Sequence, residues 1–290
     1  AKMKTRILTL LLFILFTALK TDKPAYVLFD GDGKQKDYKD LLKAAQDADI
    51  ILFGELHNNP IAHWLQLELT MDLFGSAGTG LVLGAEMFEH DNSLILNEYI
   101  SQKIRESNFE KEAKLWDNYA TDYRPLVRFA RDNDLDFVAT NIPRRYAAVV
   151  AKDGFEGLDK LSEEAKTHIA PLPVLYDPEL NCYRQMLSMG GMGDAHASGN
   201  LPRAQAIKDA TMAHFILHKW SKGKIFLHFN GAYHSDRYEG ICWYLKNGDP
   251  KVKILTISTF EQNDLEELDK DSFGLADFII CVDSSMTKTY

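Results

Sequence analysis

The feature that most constrains this chain is an alternation of short apolar runs with longer amphipathic stretches. The runs lie at 50–53, 81–85, 137–140, 225–229, 252–257 and 278–282, are of strand length, and are rich in Ile, Val, Leu and Phe. Between them, 40–48, 60–74, 125–131, 202–220 and 237–245 place apolar residues at helical spacing. A strand covered by helices on both faces reads as a continuous apolar run, so the pattern predicts βαβ units. The expected fold is α/β, with a largely parallel or mixed central sheet flanked by helices on both faces. Residues 154–200 break the rhythm and predict a helical insertion, helical to about 189 and then glycine-rich over 189–199. That glycine-rich end reads as a flap or as a plain linker. Residues 26–29 run into Asp30-Gly31-Asp32-Gly33, a strand entering a hairpin turn.

At 290 residues, a signal-like segment over 1–20 and a single domain over 21–290 are expected. Lys4 and Arg6 precede an apolar stretch from Ile7 to Phe16, the charge and length pattern of a secretory signal. It is shorter than the ~20 apolar residues of a membrane-spanning helix. The expected location is therefore outside the cytoplasm. Losing Lys2, Lys4, Arg6 and Lys20 with that segment moves the formal charge from −9 to −13. An acidic body with no dense Lys/Arg run argues against nucleic acid as a partner. Cys182, Cys242 and Cys281 form no Cys-x-x-Cys pair and no disulfide framework.

Ligands of open α/β sheets bind beyond the carboxyl ends of the strands, so the residues just after each run are the informative ones. They are Gly54-Glu55-Leu56-His57-Asn58-Asn59-Pro60, then Glu86, then Asn141-Ile142-Pro143-Arg144-Arg145, then Asn230-Gly231-Ala232-Tyr233-His234. With those strands as neighbours, Glu55, His57, Glu86 and His234 converge on one crevice. Glu55 and His57 are two apart and point to one side of an extended chain, where they can share a proton, a metal or a substrate group. The structural alternative is that Glu55 caps the helix opened by Asn58-Asn59-Pro60. Glu86 follows an apolar run and needs a partner, for which His57 or His234 serves. His228 lies inside its run and reads as a core histidine. Gly231 allows close backbone approach to a ligand. Arg144 and Arg145, in a first helical turn after Pro143, are suited to a carboxylate or simply decorate the surface. Asp209, within 202–220, is either a buried orienting partner for a histidine or an exposed acid. No Gly-x-Ser-x-Gly, Gly-x-x-x-x-Gly-Lys or His-Glu-x-x-His occurs, which argues against a serine hydrolase, a nucleotide-driven enzyme and a zincin.

Taken in order, the segment from Gly54 to Gln66, Gly84-Ala85-Glu86-Met87-Phe88-Glu89, Trp116 with Tyr119, Pro125-Leu126, Asn141-Ile142-Pro143-Arg144 and Gly231-Ala232-Tyr233-His234 resemble the ChaN-like haem-binding family. That family is part of a wider group with Tiki-type proteases and erythromycin esterases, and the resemblance runs from about residue 38 onward. It implies an iron-regulated envelope protein acting in haem or iron acquisition. Haem would sit between the subunits of a homodimer, with an outer-membrane haem or iron transporter as partner. Members are often lipoproteins, but the nearest cysteine to the signal-like segment is Cys182, so no lipobox supports an anchor here. The resemblance suggests a tyrosine as iron ligand. Tyr176 and Tyr183, or Met192 and His196 in the glycine-rich stretch, are the candidates, with Arg144 and Arg145 for the propionates. The rival reading is a hydrolase in which a divalent metal or a histidine base at Glu55, His57, Glu86 and His234 activates water. Fold kinship does not choose between them.

Overall fold

The computed structural model describes residues 23–188 and 199–290. Its strands are β1 Tyr26–Asp30, β2 Gln35–Lys36, β3 Ile50–Glu55, β4 Leu81–Glu89, β5 Phe137–Asn141, β6 Ile225–Gly231, β7 Ile254–Gln262 and β8 Phe278–Asp283. They form one 8-stranded sheet in the order β2-β1-β8-β7-β3-β6-β4-β5. β1 is antiparallel to β2 and β8, and every other pairing is parallel. Each predicted apolar run is a strand, and Asp30 to Gly33 makes the hairpin turn. β4 continues past its run to Glu89, and its register against β5 shifts between Ala85 and Glu89. Glu86 therefore sits in the irregular end of a strand, where a bulge re-aims side chains.

The helices are α1 Tyr38–Gln46, α2 Pro60–Ala77, α3 Ser93–Ile100, α4 Glu106–Glu112, α5 Arg124–Asp132, α6 Arg144–Asp153, α7 Glu163–Lys166, α8 Asn181–Ser188, α9 Leu201–Lys219 and α10 Ile241–Gly248. They cover both faces of the sheet, with a large apolar cluster on each and a smaller third one around Phe29 of β1 and Ile279 of β8. Ile51 and Phe53 of β3 pack with Leu65 and Leu69 of α2, while Ile50 and Leu52 pack with Ile207 and Ile216 of α9. Strand side chains alternate faces, so one apolar run feeds both layers. Each such fully buried side chain contributes about 1.5–3 kcal/mol.

Two expectations need correction. The insertion is only partly helical: after a 3-10 turn at Phe155–Lys160 and α7, the chain is irregular until α8. Pro171, Pro173 and Pro178 explain this, because proline lacks the backbone donor and pushes the preceding residue out of helical geometry. α10 starts at Ile241, later than expected, because Arg237, Tyr238 and Gly240 take φ of 57°, 60° and 54°. Helix α2 begins where its sequence says, with the Asn59 side chain accepting from the Ile61 and Ala62 amides at 3.0 and 3.1 Å and Pro60 in the first turn.

Candidate ligand-binding site

The carboxyl end of β3 lies between β6 and β7 and delivers Glu55 into the core. Tyr123 donates to Glu55 Oε1 at 2.6 Å, and Gln66 of α2 donates to Oε2 at 2.5 Å. His57 Nδ1 lies 2.8 Å from Oε1. These partners compensate the desolvation of a buried carboxylate. The His57 carbonyl is held in turn, accepting from His63 Nε2 at 2.9 Å and from Asn118 Nδ2 at 3.0 Å. The His57 ring stands edge-on to Trp116, 4.9 Å between centroids. Its other side meets Gly231, where a Cβ would come within 2.9 Å of ring atoms Cε1 and Nε2. Gly231 thus makes room for an imidazole, a different use of the glycine from the ligand approach expected. Burial opposes a charge on His57, but the Glu55 hydrogen bond and the nearby Glu86 prevail and raise its pKa.

A second histidine is clamped between two carboxylates. His234 Nδ1 bonds to Asp209 of α9, and its Nε2 lies 3.2 Å from Glu86 Oε1. All three groups are buried. The Gly231 amide donates to Glu86 Oε2 at 2.7 Å, and Tyr183 donates to Asp209 Oδ2 at 2.7 Å. Burial works against the imidazolium, but Glu86 and Asp209 raise the His234 pKa to about 10. Burial likewise opposes the Glu86 carboxylate, yet His234 holds it well below the usual range. At Asp209 burial prevails over His234 and pushes the carboxyl up. The ion pair proper is therefore His234 with Glu86, and Asp209 orients the ring from behind.

Two cavities open beside these groups and meet at Tyr290. The larger, about 500 Å³, has Met87, Leu115, Trp116 and Ile142 on its walls and the cations Arg144 and Lys208 at its rim. The smaller, about 430 Å³, reaches Glu55, His57, Gly231 and His234. Glu89, on the larger wall, is matched by Lys114 at 2.6 Å. Arg144 and Lys208 form no ion pair among the described residues. Asn141 donates to the Glu86 carbonyl at 3.0 Å, and its own buried Oδ1 has no partner among the described residues.

The structure brings Glu55, His57, Glu86 and His234 to one cleft and sets Arg144 at its edge. It turns Arg145 away, onto Asp91 and the face of Tyr146. Tyr183 is fully buried with its hydroxyl on Asp209, so it offers no oxygen to a ligand. Tyr176 packs against Tyr183 and Phe155 and lines neither cavity. Met192 and His196 lie outside the described residues. The metal expected among Glu55, His57, Glu86 and His234 finds no site: among the described residues no three His, Cys, Asp or Glu side chains form a group able to hold one. The physical reason is that the carboxylates are already turned onto the imidazoles. His228 is a core histidine, bonded to Thr140 at 2.8 Å and Asn230 at 3.1 Å. Sequence reasoning missed Gln66, Tyr123, Lys208 and Tyr290. His63, Gln66 and Thr70 form a buried polar stripe at helical spacing on α2, a legible sign that this helix faces a polar group.

Fold and site together define an α/β protein with a ligand cleft beyond the carboxyl ends of β3, β4 and β6, part apolar and rimmed by cations. The family model described as haem-binding uptake, Tiki superfamily, ChaN matches residues 41–245, and the chain belongs to this family. Among solved structures, ChaN of Campylobacter jejuni, described with cofacial haem binding, is 17% identical with a TM-score of 0.68, over 89% of this chain and 97% of that one. A succinoglycan biosynthesis protein is 12% identical at TM-score 0.52, over 86% and 91%. An erythromycin esterase in its open conformation is 9% identical at TM-score 0.50, over 86% and 95%. At these identities the likenesses show the fold. No curated protein matches the chain in sequence.

Proposed function

We propose that this chain is an exported haem carrier in haem or iron acquisition, holding haem in the cleft where the two cavities meet. The observation that carries the reading is the larger cavity itself. Met87, Leu115, Trp116 and Ile142 offer an apolar wall for a macrocycle, while Arg144 and Lys208 offer cations for its propionates. Of the three acids on the same wall, Glu89 is matched by Lys114 and Glu86 by His234, which leaves Asp117 facing the two cations Arg144 and Lys208. Tyr290 supplies the oxygen donor for iron: it borders both cavities, is 66% exposed, and its hydroxyl makes no hydrogen bond among the described residues. Haem bound there supplies the iron that the pathway moves; the chain's own part is to hold and release it. By analogy with the cofacial binding described for the Campylobacter jejuni protein, two copies of this chain enclose haem between them and pass it to an outer-membrane transporter in the periplasm or envelope.

Titration with ferric haem, followed at the Soret band, tests this. Saturable binding with a shifted band is expected, the shift lost in Tyr290→Phe, affinity weakened in Arg144→Ala, and both retained in Tyr183→Phe. Non-saturating binding that no substitution alters would overturn the reading.

One observation favours a second reading, hydrolysis. His57 Nδ1 is fixed on Glu55, while Nε2 makes no hydrogen bond among the described residues and borders the smaller cavity, the arrangement of a general base. Turnover of an activated ester that disappears in His57→Ala would support it; background hydrolysis unchanged by the substitution would dismiss it.

A further inference from the structure

Away from the cleft, His90, His168, His214 and His218 gather around Phe215 and the C-terminal half of α9. His90, just after β4, lies with its Nδ1 3.0 Å from Nδ1 of His168, just after α7. The face of His90 is stacked on Phe215, 3.5 Å between centroids and 9° between planes. His214 lies 4.9 Å from Phe215 and 6.1 Å from His218. A hydrogen bond between two imidazole nitrogens needs one donor and one acceptor, so at least one ring must be neutral. With both rings protonated, two donors and two like charges face each other.

Countercharge is scarce on every element packed here. At the exit of β4, Asp91 favours a charge on His90 but is shared with Arg145, and Glu89 is committed to Lys114. On α7, Glu163 is committed to Lys166, and Glu164 is an exposed acid. α9 adds Lys219, another cation acting on His90. We propose that the His90–His168 contact is an acid-sensitive latch, which fastens residues 163–168 to the exit of β4 and releases them when both rings carry protons. C-terminal to the latch the chain is held independently: Ile169 and Ala170 are buried, the Ala170 amide donates to Thr211 at 3.1 Å, Tyr244 donates to the Leu175 carbonyl at 2.7 Å, and Tyr176 packs on Phe155 and Tyr183. On the β4 side the latch meets the wall of the larger cavity, because Asn92 accepts from the Lys114 amide at 2.9 Å.

Burial, then His168 and His214, push the His90 pKa down to about 4. A histidine whose folded pKa is depressed stabilises the closed form at pH above its ordinary value of about 6.5, and that stabilisation is lost as pH falls toward the folded value. The latch is closed at neutral pH and loosens in acid.

Hydrogen exchange read by mass spectrometry over 163–168, at pH 7 and pH 5 and corrected for intrinsic rates, tests the latch. Opening on the order of tenfold more frequent at pH 5 is expected in the unmodified chain. In His168→Asn and in His90→Gln, which keep a polar partner but cannot form the doubly charged pair, the difference between the two pH values is lost. His218→Gln keeps it. Should the first two variants misfold, imidazole NMR of the unmodified chain replaces them, and His90 must titrate together with the loss of protection. Equal protection at both pH values, or a pH difference that survives in both variants, overturns the latch.

Discussion

At the scale of single residues, the cleft contains two histidines with opposite relations to the protein around them. His234 is sealed between Glu86 and Asp209, so removing it leaves carboxylates buried without their counter-ion. His234→Ala is therefore expected to destabilise by about 3–5 kcal/mol, the cost of breaking a buried ion pair by one partner. Alkali should act on the same group. Its folded pKa is raised to about 10, so the clamp stabilises fully below the ordinary histidine value and its contribution is lost as pH rises through 10. Chemical denaturation between pH 7 and 10 should show falling stability, and the decline should be shallower in His234→Ala; equal slopes would refute the clamp. Of this arrangement, the sequence disclosed Glu55, His57, Glu86 and His234, because each follows an apolar run directly. Asp209 stood open between two roles, since a single acid on a largely apolar helix does not reveal which face is buried. Tyr183 was misread as a ligand for the same reason: a tyrosine's phenol looks available until its hydroxyl is found on a buried carboxylate.

Among the elements, β3 is the most constrained, because it is paired on both sides and must turn out Glu55 at its end. Gly54 shows how tightly. A Cβ there would lie 2.9 Å from both the Ala232 Cα and the Ile257 carbonyl oxygen, which are backbone atoms of the neighbouring segments after β6 and in β7. Neither can move without disturbing the sheet, so Gly54→Ala should cost on the order of 1–3 kcal/mol or more and displace Glu55 from the cleft. Gly75 is the counterpart, lying within α2 with open space where a Cβ would sit. Gly75→Ala should add about 0.5–1 kcal/mol through helix propensity and reduced unfolded-chain entropy. Thermal melts of the two variants should move in opposite directions, and a shared direction would contradict this picture of the two sites. The strands were legible because burial on both faces makes their runs continuous. The irregular course of 167–180 is written in its prolines, which the expectation of helix to about 189 leaves out of account. The extension of β4 to Glu89 was not legible, since a register shift against β5 depends on a partner strand far away in the sequence.

For the whole molecule, the proposed function turns on what covers a haem seated in an open cleft. A macrocycle against Trp116 and Met87 would leave its other face toward solvent, and burying that apolar face under a second copy is favourable. A twofold arrangement presents the same surface from both partners and closes without forming chains. Charge opposes it: the chain carries a formal −9, or −13 without Lys2, Lys4, Arg6 and Lys20 of the signal-like segment, so two copies repel. That repulsion is screened over a Debye length of about 10 Å at 0.1 M salt, whereas the apolar contact is not. Dimerisation should therefore require haem and tighten as salt rises from about 0.01 to about 0.15 M. Sedimentation with and without ferric haem at the two salt concentrations measures both effects. Doubling of mass only with haem, stronger at the higher salt, is the expected result. Haem bound with no change in mass at either salt would retain the carrier and refute the shared site, leaving one chain to shield the ligand alone.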